Sequence, residues 1–235
     1  MKKYYIIGAV ILLVVIGGSV AFYEYEHNPK IEYQKGLHYY KEKNYQKALP
    51  LFEEAAKQNY APAEEKLGRM YLNGWGVPQH SSKAFYWFKK AANQGNAKAE
   101  VALGKSYLVR GVLNTFISNT YSNPYAKSRA PEDYSKALYW FKKAAEQGNA
   151  EAENYLGAMY DKGLGVPQDY SEADYWFKKA AEQGLPIAEY NIGYMYEYGL
   201  GVPQDYSKAK YWLKKAAEQG NAEAKANLER LESDH

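Results

Sequence analysis

The chain contains no cysteine. That excludes disulfide staples, thiolate metal sites, a cysteine nucleophile and a lipid-modified cysteine, and leaves the compartment open. Histidine is scarce: His27, His38, His80 and His235 are scattered, without an HExxH or other paired ligand spacing. No metal and no cofactor are expected. No serine sits in a nucleophile elbow or an SxxK motif. Gly163-Leu164-Gly165 and its copies follow no strand and lack the third glycine and the Walker lysine, so they read as turns. The carboxylates in Phe52-Glu53-Glu54 and in Ala150-Glu151-Ala152-Glu153 read as helix-surface residues. The expectation is a protein that is not an enzyme. An excess of one charge is also missing, with 30 basic against 27 acidic residues, which argues against a nucleic-acid groove. The recurring Lys-Lys pairs read as solvated helix faces and as last-turn charges that suit the helix dipole.

The first 23 residues contain no acid. After Lys2 and Lys3, Tyr4–Tyr23 runs 20 residues without any charge. As a helix it would span about 30 Å, the thickness of a bilayer core. Tyr4 and Tyr5 at one end, and Phe22 and Tyr23 at the other, suit the two interfaces. Residues 1–23 are therefore expected to form one N-terminal transmembrane helix. The lysines would stay inside and the bulk of the chain would lie outside a bacterial inner membrane, in the periplasm. The alternative is a signal peptide cleaved near Ala21, after Ser19-Val20-Ala21. Residues 24–30 form a polar linker.

What the chain has in abundance is repetition. Residues 150–185 recur as 186–221: Gly157 as Gly193, Tyr160 as Tyr196, Gly163 and Gly165 as Gly199 and Gly201, Trp176 as Trp212. Residues 61–96 match through Gly68, Tyr71, Gly74, Gly76 and Trp87. Residues 97–149 are a fourth copy with 17 residues inserted. A fixed period of this length marks a solenoid, whose units bury apolar faces only against their neighbours. Each unit reads as two helices. Ala152, Leu156, Met159 and Tyr160 form one apolar face, and Ala173, Trp176, Phe177 and Ala180 another. Gly163 suits a left-handed C-cap, Pro167 follows where a helix cannot continue, and Asp169 or Ser171 can cap the second helix. Gly157 inside the first helix predicts a close helix–helix approach, and the recurring tryptophan reads as core. Residues 31–60 read as a tetratricopeptide-like pair capping the array, with Pro50 predicting a kink or a later helix start. Residues 222–235 read as a closing amphipathic helix.

The motif A-x-A-x-x-x-LG-x-x-Y-x-x-G-x-GVPQ-D-x-x-KA-x-x-W-x-x-KAA-x-QG resembles the Sel-one-like repeat (SLR), a relative of the tetratricopeptide repeat. The resemblance covers residues 61–221. It implies an all-α fold: an α/α right-handed superhelical solenoid that binds protein partners on its concave side, with bacterial members exported or tethered to membranes. Some members have disulfide-linked repeats and weak penicillin-binding or β-lactamase activity, from which this chain departs by having no cysteine.

Individuality lies where the copies differ. The insertion, Gly111–Ala130, shows no clear periodicity, and such a segment in a compact array is usually a binding loop or disordered, the alternative being a decorative loop or a helix extension covering the neighbouring repeat. It carries Phe116, Ile117, Tyr121, Tyr125, Lys127 and Arg129, an aromatic and basic mix common at interfaces. Tyr190, Tyr194 and Tyr198 form a stripe at i, i+4 and i+8 that no other copy has. It reads as a groove hot spot or as packing against the closing helix. Arg69 and Lys105 occupy equivalent positions and would suit an acidic or carboxylate-ended peptide, or serve only solvation. The expected function is a non-catalytic, membrane-tethered adaptor facing the periplasm, with an unidentified protein partner. Alternatives are a periplasmic immunity-type inhibitor of a toxin or lipase, or a β-lactamase-like cell-wall enzyme.

Overall fold

The computed structural model describes residues 3–7, 10–14 and 28–234. Lys3–Ile7 (β1) and Val10–Val14 (β2) pair as an antiparallel ribbon, with Tyr5 opposite Leu12. These ten residues do not form the helix expected there. Ile6, Ile7, Val10, Ile11 and Val14 are β-branched, which favours a pleated strand. The rest of the Tyr4–Tyr23 run and residues 24–27 of the linker lie outside the described residues. Among the described residues no helix is long and apolar enough to cross a membrane.

The chain divides into two compact units, Met1–Asn96 and Ala97–His235. The first holds two antiparallel helix pairs: α1 (Pro29–Lys41) with α2 (Tyr45–Lys57), and α3 (Ala61–Asn73) with α4 (Ser81–Asn93). The second holds three pairs and a closing helix: α5 (Ala97–Tyr121) with α6 (Pro124–Glu146), α7 (Ala150–Lys162) with α8 (Tyr170–Glu182), α9 (Pro186–Tyr198) with α10 (Tyr206–Glu218), then α11 (Ala222–Asp234). Local chemistry sets the helix ends. Gly163 and Gly199 end α7 and α9 in the left-handed conformation, at φ 65° and 67°. The Asp169 carboxylate caps α8, accepting from the amides of Ser171 at 2.9 Å and Glu172 at 3.1 Å. At α4 the cap is His80, and Ser81 is the first helical residue. Pro50 does not break α2. The helix starts at Tyr45, so Pro50 is still near its N-terminus and forfeits a single bond to the Gln46 carbonyl.

Each second helix buries one large side chain over a glycine of its partner. Phe52 faces Gly36, Phe88 faces Gly68, Phe141 faces Gly104, Phe177 faces Gly157 and Leu213 faces Gly193. A Cβ on Gly157 would lie 2.6 Å from Phe177 Cδ1, so the close approach expected of this glycine is real. Within each unit the shared cores form between consecutive pairs. Ala173, Phe177, Ala180 and Ala181 of α8 pack on Ala188, Ile192 and Met195 of α9. Burying a phenylalanine in such a core is worth about 1.5–3 kcal/mol. The tryptophans differ from expectation. Trp87, Trp176 and Trp212 are half-buried, each covering the edge of the core before its own pair. The fully buried position is the next residue in the chain.

Two further expectations are corrected. The insertion is not a loop: it lengthens both helices, leaving only Ser122-Asn123 between α5 and α6. The glycine–aromatic contact is repeated one heptad further along. Gly111 lies seven residues beyond Gly104 and meets Tyr134, seven residues before Phe141. Thr115 Oγ1 bonds to Tyr134 Oη at 3.0 Å, and Asn114 donates to Asp133 at 2.9 Å. The second correction concerns Glu153, which is not a surface residue. Glu64, Glu100, Glu153 and Glu189, in the first turns of α3, α5, α7 and α9, are buried. Each accepts from a glutamine that follows the partner helix: Gln94 at 2.6 Å, and Gln147, Gln183 and Gln219 at 2.7 Å. The second lysine of each Lys-Lys pair approaches the same carboxylate and lies over the neighbouring tryptophan, as Lys215 does at 3.2 Å from Glu189 and 4.7 Å from the Trp212 ring. These lysines are therefore engaged rather than freely solvated. In α11 the equivalent position is Lys225.

Candidate partner-binding groove

The repeats at residues 150–185 and 186–221 enclose a groove of about 560 Å³. From α7 come Asp161 and Lys162, from the following turn and the start of α8 come Gln168 and Tyr170, and from α9 come Tyr190, Asn191 and Tyr194, with Leu200 beyond. The turn is held in place from within. Gln168 Nε2 donates to the Asp161 carbonyl at 2.7 Å and to Tyr170 Oη at 3.0 Å. The same lock recurs as Gln79 to the Leu72 carbonyl and Gln204 to the Glu197 carbonyl, each at 2.8 Å. Gly201 presses against the start of α8: its Cβ would lie 2.5 Å from the Tyr170 backbone. The groove is thus lined by positions the repeat itself makes rigid.

Two members of the tyrosine stripe, Tyr190 and Tyr194, form one wall, and Tyr198 lies outside the lining. Tyr190 and Tyr194 have ring centroids 6.4 Å apart, and Tyr194 and Tyr198 are 4.5 Å apart. Tyr194 is 40% exposed and Tyr198 50%. Tyr190 does both things considered for the stripe, since it lines the groove and also packs on the core under α11. Burial, followed by the nearby Tyr194, raises the Tyr190 phenol above its ordinary 10.0. A hydrogen bond to Glu197 raises Tyr198 in the same direction. Both phenols are therefore neutral at physiological pH and can donate as well as accept. Behind the wall, Glu197 is buried and paired with Arg230, which ties α9 to α11. On the other wall Lys162 lies 3.5 Å from Asp161. Asn191 donates to Asn154 Oδ1 at 3.0 Å.

The remaining residues singled out in the sequence lie elsewhere. Phe116, Tyr121, Tyr125 and Arg129 are on the extended ends of α5 and α6. Arg129 donates to Tyr125 Oη at 2.6 Å, with its guanidinium 5.1 Å from that ring. Arg69 is paired with Glu65 on its own helix. Lys105 is 3.0 Å from Glu151 and lies over the Tyr155 ring. Sequence reasoning missed Asn154, Asp161, Gln168 and Asn191. For Asn154 and Asn191 the signal was available, because both occupy positions that vary between copies. Among the described residues, no group of three or more His, Cys, Asp or Glu could hold a metal ion.

The glycine under each buried ring, the glutamine-bound glutamate and the Gly-x-Gly turn define a repeat, and a family model described as Sel1 repeat matches residues 31–60, 61–96, 125–149, 150–185 and 186–221. The chain belongs to the Sel1 repeat family. That includes the first pair, read from the sequence as tetratricopeptide-like. The stretch 97–124, which carries most of the insertion, is outside every matched segment. A Sel1 repeat protein from Oxalobacter formigenes is 33% identical, with a TM-score of 0.65 over 83% of this chain and 74% of that one. The protective antigen c5321 of uropathogenic Escherichia coli, which displays an SLR fold, is 30% identical over 89% of this chain and 50% of its own, with a TM-score of 0.48. Pseudomonas aeruginosa 5086 shares the fold at 21% identity and a TM-score of 0.50, over 81% and 68% of the two chains. No curated protein matches the chain.

Proposed function

We propose that this Sel1 repeat protein is a non-catalytic adaptor that holds a segment of a protein partner in the groove between the repeats at residues 150–185 and 186–221. The observation that carries this reading is the groove's composition. Its aromatic wall, Tyr190 and Tyr194, occupies positions at which the other repeats hold Glu65 and Arg69, Val101 and Lys105, or Asn154 and Ala158. The repeat's own packing does not require tyrosine there. Exposed tyrosines backed by buried structure give a large contact area at low ordering cost. Asn191, Gln168 and the Tyr190 phenol offer donors and acceptors to a peptide backbone, and Leu200 offers an apolar contact. A preformed groove of this kind suits an extended or helical peptide with an apolar anchor.

The adaptor is tethered through residues 4–23 to a bacterial inner membrane and faces the periplasm. Support for this part is compositional: 20 uncharged residues, aromatic at both ends, behind Lys2 and Lys3.

The test is a photo-crosslinking amino acid at Tyr194 in the full chain, expressed in its native cells, with Tyr175 on α8 as the control position. A protein adduct formed from position 194 and not from 175 is expected. Adducts from both, or from neither, reject the groove.

A further inference from the structure

The lengthened α5–α6 hairpin presents a second surface. Its inner side is fully engaged: Gly111 against Tyr134, Asn114 on Asp133, and Thr115 on Tyr134. On the opposite side of α5, Val109, Val112, Leu113 and Phe116 recur at i, i+3, i+4 and i+7. Such a stripe ordinarily faces a core. Here the four are 67%, 50%, 53% and 59% exposed. The tip adds Tyr121 and Tyr125, 72% and 66% exposed. Charge in this region has one sign. From Gly111 to Pro131 the only charged residues are Lys127 and Arg129. Acids begin at Glu132 and Asp133, and both are paired, with Lys136 at 2.5 Å and Arg110 at 3.2 Å.

We propose that this hairpin docks on an anionic lipid surface. The α5 stripe enters the boundary between headgroups and acyl chains, the two tyrosines sit at headgroup level, and Lys127 and Arg129 face lipid phosphates. An apolar helix face flanked by aromatic and basic residues is the arrangement that lies in a membrane interface. A fluid surface accepts four aliphatic and aromatic side chains without a matching cavity. An anionic one also complements a tip that carries two cations and no acid. The inference is independent of the groove: the groove residues come from the repeats at 150–185 and 186–221, and the hairpin is part of residues 97–149.

The chain's lack of cysteine makes the test direct. Full-length protein carrying Phe116→Cys is labelled with an environment-sensitive fluorophore and mixed with phosphatidylcholine vesicles, with and without phosphatidylglycerol. Tyr175→Cys is the control, and Leu113→Cys is a second reporter on the same stripe. Circular dichroism matching the unsubstituted protein establishes that each labelled chain is folded. The expected result is a blue shift and protection from an aqueous quencher at 116 and 113 with the anionic vesicles, and no change at 175. Each basic residue near an anionic surface contributes about a fivefold factor, so Lys127→Gln with Arg129→Gln should lower the ratio of inserted to free hairpin about 25-fold. Three results would overturn the proposal: labels at 116 and 113 that remain in water, an equal response on uncharged vesicles, or protection without vesicles that grows with protein concentration. The last would mean that a second copy of the chain covers the stripe.

Discussion

The contact between Phe177 and Gly157 is the smallest element that tests how this array is held together. Phe177 is almost completely buried, and the wall it meets is helix backbone, because Gly157 has no side chain. Truncation to alanine leaves a cavity that backbone cannot collapse to fill, so Phe177→Ala should cost about 3–5 kcal/mol. Gly157→Ala alone sets two effects against each other. Helix propensity favours alanine by about 1 kcal/mol. The new methyl would meet three ring atoms, at 2.6, 2.7 and 2.9 Å, in a core with no room for the ring to move. Overpacking of that kind costs about 1–3 kcal/mol, so the single variant should lose about 1 kcal/mol. In the Phe177→Ala background the ring is gone, and the same methyl should gain about 1 kcal/mol. The cycle therefore predicts a coupling of about 2 kcal/mol between two residues 20 positions apart. Urea titrations of the four proteins, followed by far-ultraviolet circular dichroism, measure it. Additivity within about 0.5 kcal/mol would refute the packing argument.

Three other predictions rest on separate features. Trp176→Ala should cost clearly less than Phe177→Ala, because Trp176 is half-buried and its buried indole N–H has no partner to lose; equal losses in the same titration would contradict this. Gly199 and Gly201 share nearly the same positive φ, 67° and 66°, but only at Gly201 would a Cβ strike backbone, that of Tyr170 at 2.5 Å. Gly199→Ala should cost about 1–2 kcal/mol from backbone strain, and Gly201→Ala at least about 1 kcal/mol more, read by thermal melts of the two variants. The third prediction concerns pH. Burial holds the Glu100 carboxyl above its ordinary 4.5, against the pull of Lys143. A carboxyl raised by folding stabilises the protein fully below its unfolded pKa and loses that contribution as pH rises through its folded pKa. Gln at position 100 stays neutral and can still accept from Gln147. The melting temperature of Glu100→Gln relative to the unsubstituted protein should therefore rise between about pH 4 and pH 7. A falling difference would show that the ionised carboxylate is stabilising.

The parts of this fold that were legible in the sequence are those written several times. Gly68, Gly104, Gly157 and Gly193 recur at one helical position, so a close approach could be inferred without knowing which side chain fills it. The extension of α5 and α6 is written once. Gly111 and Tyr134 repeat the glycine–aromatic contact at a heptad offset, but Tyr134 looks like its repeat counterparts Tyr170 and Tyr206, and Gly111 has no glycine counterpart in another copy to make it stand out. Burial of Glu153 was hidden for a different reason. Its acceptance from Gln183 spans 30 residues, and a glutamate in a first helical turn looks like a surface charge until its partner helix is in place. The tryptophan was misplaced by one residue because Trp176 and Phe177 share the apolar face, and the interior has room only for the smaller ring against Gly157. In the groove, the tyrosine stripe was visible as a departure from the repeat. The glutamine lock lies within one copy but depends on the turn folding Gln168 back onto the Asp161 carbonyl, and the Asn154–Asn191 bond depends on neighbouring repeats meeting, which no single copy contains.

The groove is the centre of this account, and Tyr194 is the residue to change. The measurement is the affinity of the protein captured at position 194 for the full chain and for its Tyr194→Ala variant, with thermal stability followed in parallel. Loss of an exposed aromatic hot spot typically costs about 2 kcal/mol or more of binding, roughly a 30-fold weakening, and little stability. A 30-fold or greater loss at an unchanged melting temperature is the predicted result. Unchanged affinity would place the partner elsewhere on the chain and contradict the groove as its site.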